Sequence, residues 1–403
     1  MNEKSYVIRI DNIFYFSFFL WYSMEILFSS TIMNFTYLPM QQLNDIIGYI
    51  VLVLMIIQIF FFQKYNVRDI IVIVLSSVIV IVSAIKSGNN SILSMWIFIV
   101  SSKKVNLDAV VRSAYKVLCF MVSLVIILFF FKIIPEVTLY RNGIVRHSMG
   151  FIHPNQLGLR VFQLIMCRLF LHRNRFRMAD IVISVLGVVF VYYVPNSQTS
   201  FGALIILFFL TIIYAFIRDK DYIVMKTAGV ILISTSILLN VICVVLSTRP
   251  LIHKFWVEIN QFISFRFSYC YRVYKIYGIT FWGNDIAVTM SEREMRGMQN
   301  LGKLYLDNAY LSLILRFGIL MFVLFSLMYY LTMYYFMQHN QLYIVIIMFV
   351  YSVYGIMETG MYQMSHNIIL LAISYLIYNK IASDGTYKYV KGRMANSESS
   401  ICS

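Results

Sequence analysis

Residues 45–85 read DIIGYIVLVLMIIQIFFFQKYNVRDIIVIVLSSVIVIVSAI. Two apolar blocks, 45–63 and 68–85, flank the short connection Lys64-Tyr65-Asn66-Val67. Each is about the length, roughly 20 residues, that crosses a hydrocarbon core as a helix. Lipid offers no partner to a backbone N–H or C=O, so a spanning block must satisfy its own, as a helix does. The same pattern recurs outward along the chain, at 12–30, 90–102, 115–134, 156–172, 180–195, 201–217, 226–247, 308–336, 341–359 and 363–379. The 90–102 block is short, and is tilted, re-entrant or joined with its neighbour. The fold class expected is an all-α polytopic integral membrane protein of about 12 transmembrane helices. Its parts are an N-terminal bundle over 1–247, one long extracellular loop over 248–306, C-terminal spans over 307–379 and a basic tail over 380–403.

Composition agrees with this reading. Of 403 residues, 60% are hydrophobic and only 13% charged, about half the charged share of a soluble domain. The net charge of +15 does not mark a nucleic-acid binder, because no basic block interleaved with aromatics sits on a soluble domain. Cys119, Cys167, Cys243, Cys270 and Cys402 have neither metal-ligand spacing nor a disulfide framework. The first apolar block lacks a small-residue cleavage site and reads as a span rather than a signal peptide.

Charge sets the expected orientation. With a cytoplasmic N-terminus, the inside segments hold Lys4 and Arg9, Lys64 and Arg68, Lys103, Lys104, Arg112 and Lys116. They also hold Arg168, Arg173, Arg175 and Arg177, then Arg218, Lys220 and Lys226, then Lys380, Lys388, Lys391 and Arg393. That is about 19 of the 33 basic residues, the cytoplasmic excess of the positive-inside rule. An even number of spans leaves both termini in the cytoplasm.

Ionisable groups are scarce inside the blocks, with Glu25, Arg160, Arg316 and Glu358 the main exceptions, most of them near block ends. An ion-coupled transporter needs protonatable groups at mid-membrane, so polar chemistry is expected on the outer face. There Arg146-His147-Ser148-Met149-Gly150-Phe151-Ile152-His153-Pro154-Asn155 leads into a block starting at Gln156, with Arg141 close by. Arginine holds phosphate oxygens in a rigid donor fork, and histidine can take a proton near neutral pH. A base beside diphosphate-binding arginines is what glycosyl transfer from a lipid diphosphate requires. The same residues also fit an interfacial anchor of snorkelling Arg and His before a Pro-Asn helix start.

In the long loop, Ile252, Phe255, Trp256, Ile259, Phe262 and Ile263 fall on one helical face, which predicts an amphipathic helix at the surface. Continuing that phase puts Arg266 on the apolar side, where it reaches a phosphate or snorkels. Arg272 precedes Gly283 by a spacing found in some arginine-glycine motifs. Asp307 reads as the N-cap of the block that follows it, with Asn308 beside it. Ser197-Gln198-Thr199-Ser200 reads as another capping turn. His366, Asn367 and Glu358 lie outside, where they close the same pocket or serve the surface.

The segments RHSMGFIHPNQLG (146–158), NSQTS (196–200), the basic outer loop and DNAYLSLILRFGI (307–319) together resemble the Wzy-type polysaccharide polymerases of bacterial capsule and O-antigen assembly. The His-Pro-Asn element resembles most closely the capsule and exopolysaccharide polymerases of Gram-positive bacteria. One departure is Gln198, where relatives often have arginine between serine and threonine. The resemblance implies the helical membrane glycosyltransferase fold shared with O-antigen ligase. It also implies a reaction without cofactor or metal, in which a chain leaves its undecaprenyl diphosphate and joins the next undecaprenyl-diphosphate-linked oligosaccharide. On that view His153, less readily His147, is the base, and Arg146, Arg141 and Arg266 hold the diphosphate. Asn155, Arg272, Asp307 and Asn308 then serve binding. Implied partners are membrane lipids, a flippase and a chain-length regulator. O-antigen ligase, and a lipid-linked oligosaccharide flippase or other transporter, are the alternatives.

Overall fold

A computed structural model describes residues 10–31, 33, 40–141, 143–288 and 304–380. Lys4, Arg9, Arg293, Arg296, Lys303, Cys402 and the tail from 381 onward lie outside the described residues.

The described chain is helical apart from one hairpin. Helix α1 spans Ile10–Met24 and runs into a wider turn, Glu25–Ser29. Then come α2 (Met40–Ile57), α3 (Val67–Ser87), α4 (Ser91–Ser101) and α5 (Leu107–Phe130). Strands β1 (Thr138–Arg141) and β2 (Ile144–His147) pair antiparallel, with Leu139 opposite Arg146 and Arg141 opposite Ile144. After them come α6 (Pro154–Leu171), α7 (Met178–Tyr193), α8 (Gln198–Ile217) and α9 (Tyr222–Thr248). Two short helices follow, α10 (Lys254–Phe262) and α11 (Arg266–Tyr277). The last group is α12 (Ala309–Arg316), α13 (Gly318–Gln338), α14 (Leu342–Tyr354) and α15 (Ile373–Tyr378).

Local chemistry sets the ends of these helices. Asn106 caps α5 by accepting the Ala109 N–H at 3.2 Å. Asn66 and Asp69 cap α3 reciprocally, and Gly88, at φ +62°, ends it in the left-handed conformation, the usual helix stop.

Among the described residues, six helices are long and apolar enough to cross a membrane: Gln42–Phe62, Val67–Ser87, Leu107–Phe130, Gln198–Ile217, Tyr222–Thr248 and Gly318–Gln338. Shorter apolar helices stand at Ile13–Ser29, Ser91–Ser101, Met178–Tyr193, Leu342–Tyr354 and Ile368–Tyr378. The protein is thus an all-α multi-pass membrane protein. The outer faces of these helices present large apolar side chains such as Phe61, Phe130 and Phe216, tolerable in lipid and not in water. Helix α14 is apolar all round and nearly every residue in it is buried. Such a helix belongs in the middle of a bundle, and α14 indeed packs against α6, α8, α9 and α13.

Two sequence expectations need correcting. The 308–336 block is not one span. It breaks after Phe317, because Gly318 adopts φ +89°, leaving the short α12 and the long α13. Segment 278–284 fills the break: the Asn284 N–H donates to the Arg316 carbonyl at 2.9 Å, and the Ile319 N–H donates to the Thr280 carbonyl at 3.0 Å. Likewise the 341–359 block stops being helical at Tyr354. Glu358 therefore sits past the end of the helix, where the chain turns.

Candidate functional site

One end of the bundle gathers the starts of α6, α8 and α12, the end of α14 and the β hairpin. Ile152 N–H bonds to the Ser30 carbonyl, and His147 N–H to the Val194 carbonyl, so the hairpin and the chain leading to α6 are tied to α1 and to the α7–α8 turn. Met149 and Gly150 make the turn between them at positive φ, 46° and 89°. Gly150 lies against Phe129, Val125 and Ile134.

The hairpin register puts Arg141 and Arg146 on the same face, since their cross-strand pairs are two rungs apart. Arg146 is buried, 3% exposed. Its Nε donates to the Pro195 carbonyl at 3.0 Å and one terminal nitrogen donates to Asn155 Oδ1 at 2.6 Å. Asn155 passes the contact on, its Nδ2 donating to Glu358 Oε1 at 2.9 Å. From the other side Arg266 pairs with Asp307 and stands 3.7 Å from Glu358 Oε1. Three arginines thus face two carboxylates, an excess of one positive charge. Two guanidinium nitrogens, Arg141 Nη1 and Arg266 Nε, are buried with no hydrogen-bond partner among the described residues. An orphaned buried donor of this kind is costly unless a ligand completes it. The N-termini of α6, α8 and α12 add partial positive charge, a field that favours an anion over a cation.

Electrostatics at the cluster follow from burial and crowding. Burial first, then Arg141, lower Arg146 to about 10. Arg141 is lowered by burial and by Arg266, with Glu358 opposing. The Glu358 carboxyl is raised by burial, and Arg266, Asn155, Arg146 and Arg141 only partly offset this.

His153 occupies the N-cap of α6, its Nδ1 accepting the Asn155 N–H at 3.0 Å. Burial, together with Arg146, Arg141 and Arg266, lowers it to about 4. A neutral ring with Nδ1 accepting carries its proton on Nε2, so the free nitrogen of His153 is a donor. The folded value is below the unfolded 6.5, so on acidification the unfolded chain takes this proton first. Stability should therefore be full above about pH 6.5 and fall from there toward pH 4. Thermal unfolding across that range checks this, and His153→Asn, which keeps a capping oxygen, should flatten this part of the slope.

The other expected residues divide. His147 lies on the far face of the hairpin and bonds Glu136 at 3.0 Å. Arg266 does not snorkel. Helix α10 ends at Phe262, and the turn through Ser264 and Phe265, both at positive φ, reaims the chain so that α11 begins at Arg266. Buried Asn260 builds that turn, its Oδ1 accepting the Phe267 N–H at 3.0 Å and its Nδ2 donating to Ser268 Oγ at 2.7 Å. The expected amphipathic helix is α10, shorter than the apolar row: Phe255 and Phe262 on it are exposed, as is Ile252 before it, and Ile263 just after it is buried. Asp307 is not the cap. Asn308 is, its Oδ1 accepting the Leu311 N–H at 3.1 Å while its Nδ2 holds the Ile356 carbonyl. That leaves Asp307 to pair with Arg266. Arg272 is exposed over the Tyr269 ring, and no contact with the arginine cluster is seen among the described residues.

Ser197, at the start of α8, makes no capping bond with its side chain. It packs on Gly158 instead, while Thr199 Oγ1 contacts Met357 Sδ at 3.8 Å. Asn367 is buried and holds the Met361 carbonyl. Sequence reasoning gave no part to Asn260 and left Glu358 open. A single carboxylate at the end of an apolar block that shares its face with arginines is the signal for the latter. No metal-holding group of His, Cys, Asp and Glu occurs among the described residues.

Compared with known proteins, the chain matches no family model, no curated protein and no solved structure.

Proposed function

We propose that this protein is a membrane glycosyltransferase that polymerises lipid-linked saccharide units on the outer face of the bacterial cytoplasmic membrane. On this reading it spans the membrane about twelve times with both termini in the cytoplasm. The observation that carries it is the arginine cluster: Arg141, Arg146 and Arg266 around two guanidinium nitrogens without a partner among the described residues, at the bundle end opposite the basic connections. A diphosphate supplies the missing acceptors. Arg266, Arg141 and Arg146 hold the leaving group, and His153 Nε2–H adds a donor.

The base in this reading is Glu358 rather than His153. The capping bond uses the histidine's only lone pair, whereas Glu358 has a carboxylate oxygen free of hydrogen bonds among the described residues. Glu358 takes the acceptor hydroxyl's proton as that oxygen bonds to the anomeric carbon. The anomeric C–O bond to the diphosphate breaks, and its electron pair leaves with the phosphate.

Deleting the gene and extracting the lipid-linked glycan tests the reading. Single repeat units exposed on the outer face, with no polymer, are the expected result. Finished polymer left on its lipid would make the protein a ligase, and repeats held inside a flippase. Arg141→Gln should leave folding intact, because the Arg141 Nη1 it removes has no hydrogen-bond partner among the described residues. Losing one leaving-group donor raises a barrier by about 3–4 kcal/mol, so polymer formation should fall about 10²- to 10³-fold, read as product length and rate on a gel.

A further inference from the structure

Beyond the arginine cluster, α11 and the segment entering α12 form a second row of contacts. Burial alternates along that segment: Leu304 and Leu306 are buried, 2% and 5% exposed, while Tyr305 and Asp307 are not. Asp307 meets Arg266, and the Tyr305 ring meets Tyr269 edge to face at 5.1 Å. One step farther along α11, the Arg272 guanidinium lies 6.0 Å from the Tyr269 ring. Positions 266, 269 and 272 follow one i, i+3 ridge of the helix. Each step rises about 4.5 Å, close to the length of one pyranose ring.

A sugar ring has an apolar C–H face and a rim of hydroxyls. An aromatic ring takes the first and a guanidinium fork the second. Tyr305 is 38% exposed, so a ligand can reach its face. A diphosphate held at Arg266 would set its attached sugar over the tyrosine pair and the next sugar beside Arg272.

We propose that Tyr269, Tyr305 and Arg272 form a glycan subsite continuous with the arginine cluster, which stacks the first sugar of a lipid-linked saccharide on Tyr305. The inference rests on the reading of the cluster as a lipid-diphosphate site and adds what that site recognises beyond the phosphates. The competing role for the pair is an interfacial aromatic anchor in lipid headgroups.

The test uses the full chain in lipid nanodiscs and two probes, bare undecaprenyl diphosphate and lipid-linked repeat units extracted from the deletion strain. The wild type should bind the repeat units about tenfold more tightly than the bare diphosphate, the scale of one aromatic contact. Tyr305→Ala should abolish that preference while binding the bare diphosphate within about twofold of wild type. Tyr305→Trp should keep the preference. If Tyr305→Ala keeps the preference, or weakens both probes alike, the subsite is wrong and the cluster reading stands. If the wild type binds neither probe, both fall.

Discussion

Glu358→Gln should lower polymer formation about 10³-fold with folding unchanged, within the 10²- to 10⁴-fold span of a positioned general base. Glutamine has the same size, and its amide oxygen can still accept the Asn155 Nδ2 that now stands 2.9 Å from Oε1. What it loses is the capacity to take a proton. Burial raises the Glu358 carboxyl despite three arginines nearby, and a raised carboxylate is a better base near neutral pH. The paired substitution is His153→Asn. Asparagine is among the best capping residues, so α6 keeps its start and only the imidazole is lost. Its polymer formation should stay within a few-fold of wild type. Rates from purified variants given the same extracted repeat units decide between the two. A collapse in His153→Asn together with near-normal Glu358→Gln would return the proton to the histidine.

The contrast between these two residues shows where the sequence is readable and where it is not. Block length and composition are enough for a helical multi-pass protein, since lipid forces every such block into a helix. The hairpin arginines and the His-Pro-Asn start were legible because they lie close together in sequence. Glu358 is 203 positions from Asn155, and only the packing of α14 against α6 unites them. Arg266 stood open between a phosphate and snorkelling for a local reason. Its helical phase was sound up to Phe262, but two consecutive residues at positive φ reset the direction, and Asn260, which stabilises them, carries no motif. Asp307 and Asn308 were indistinguishable as caps by residue type. Tertiary context selects Asn308, because its amide also reaches the Ile356 carbonyl.

Gly283→Ala and Gly318→Ala should each destabilise the protein by about 4 kcal/mol or more, at the far end of single substitutions. Both glycines are at positive φ, +97° and +89°, and they face each other. A Cβ on Gly283 would stand 2.1 Å from the Arg316 carbonyl oxygen, and one on Gly318 would stand 2.4 Å from the Gly283 nitrogen. The obstructing atoms are backbone, so no rotamer change relieves the clash. The strain of a non-glycine residue at positive φ adds about 1–2 kcal/mol. The contacts at risk close a break in a helix: Asn284 N–H to the Arg316 carbonyl, Asn284 Nδ2 to the Leu315 carbonyl at 2.9 Å, and Ile319 N–H to the Thr280 carbonyl. Without them the last carbonyls of α12 and the first N–H groups of α13 lose their partners at a break where Phe317 and Gly318 are buried. The effect should reach the site as well, because α12 carries Asn308 at its start and so sets Asp307 against Arg266. Gly202→Ala is the control. It lies in α8 with nothing among the described residues within 4 Å of the place its new methyl group would take, and should gain up to about 1 kcal/mol from helix propensity. Thermal unfolding in detergent measures all three. If Gly283→Ala and Gly318→Ala melt like Gly202→Ala, segment 278–284 does not seat in the break, and the path from α11 through the break to Asp307 is not the one that holds the arginine site.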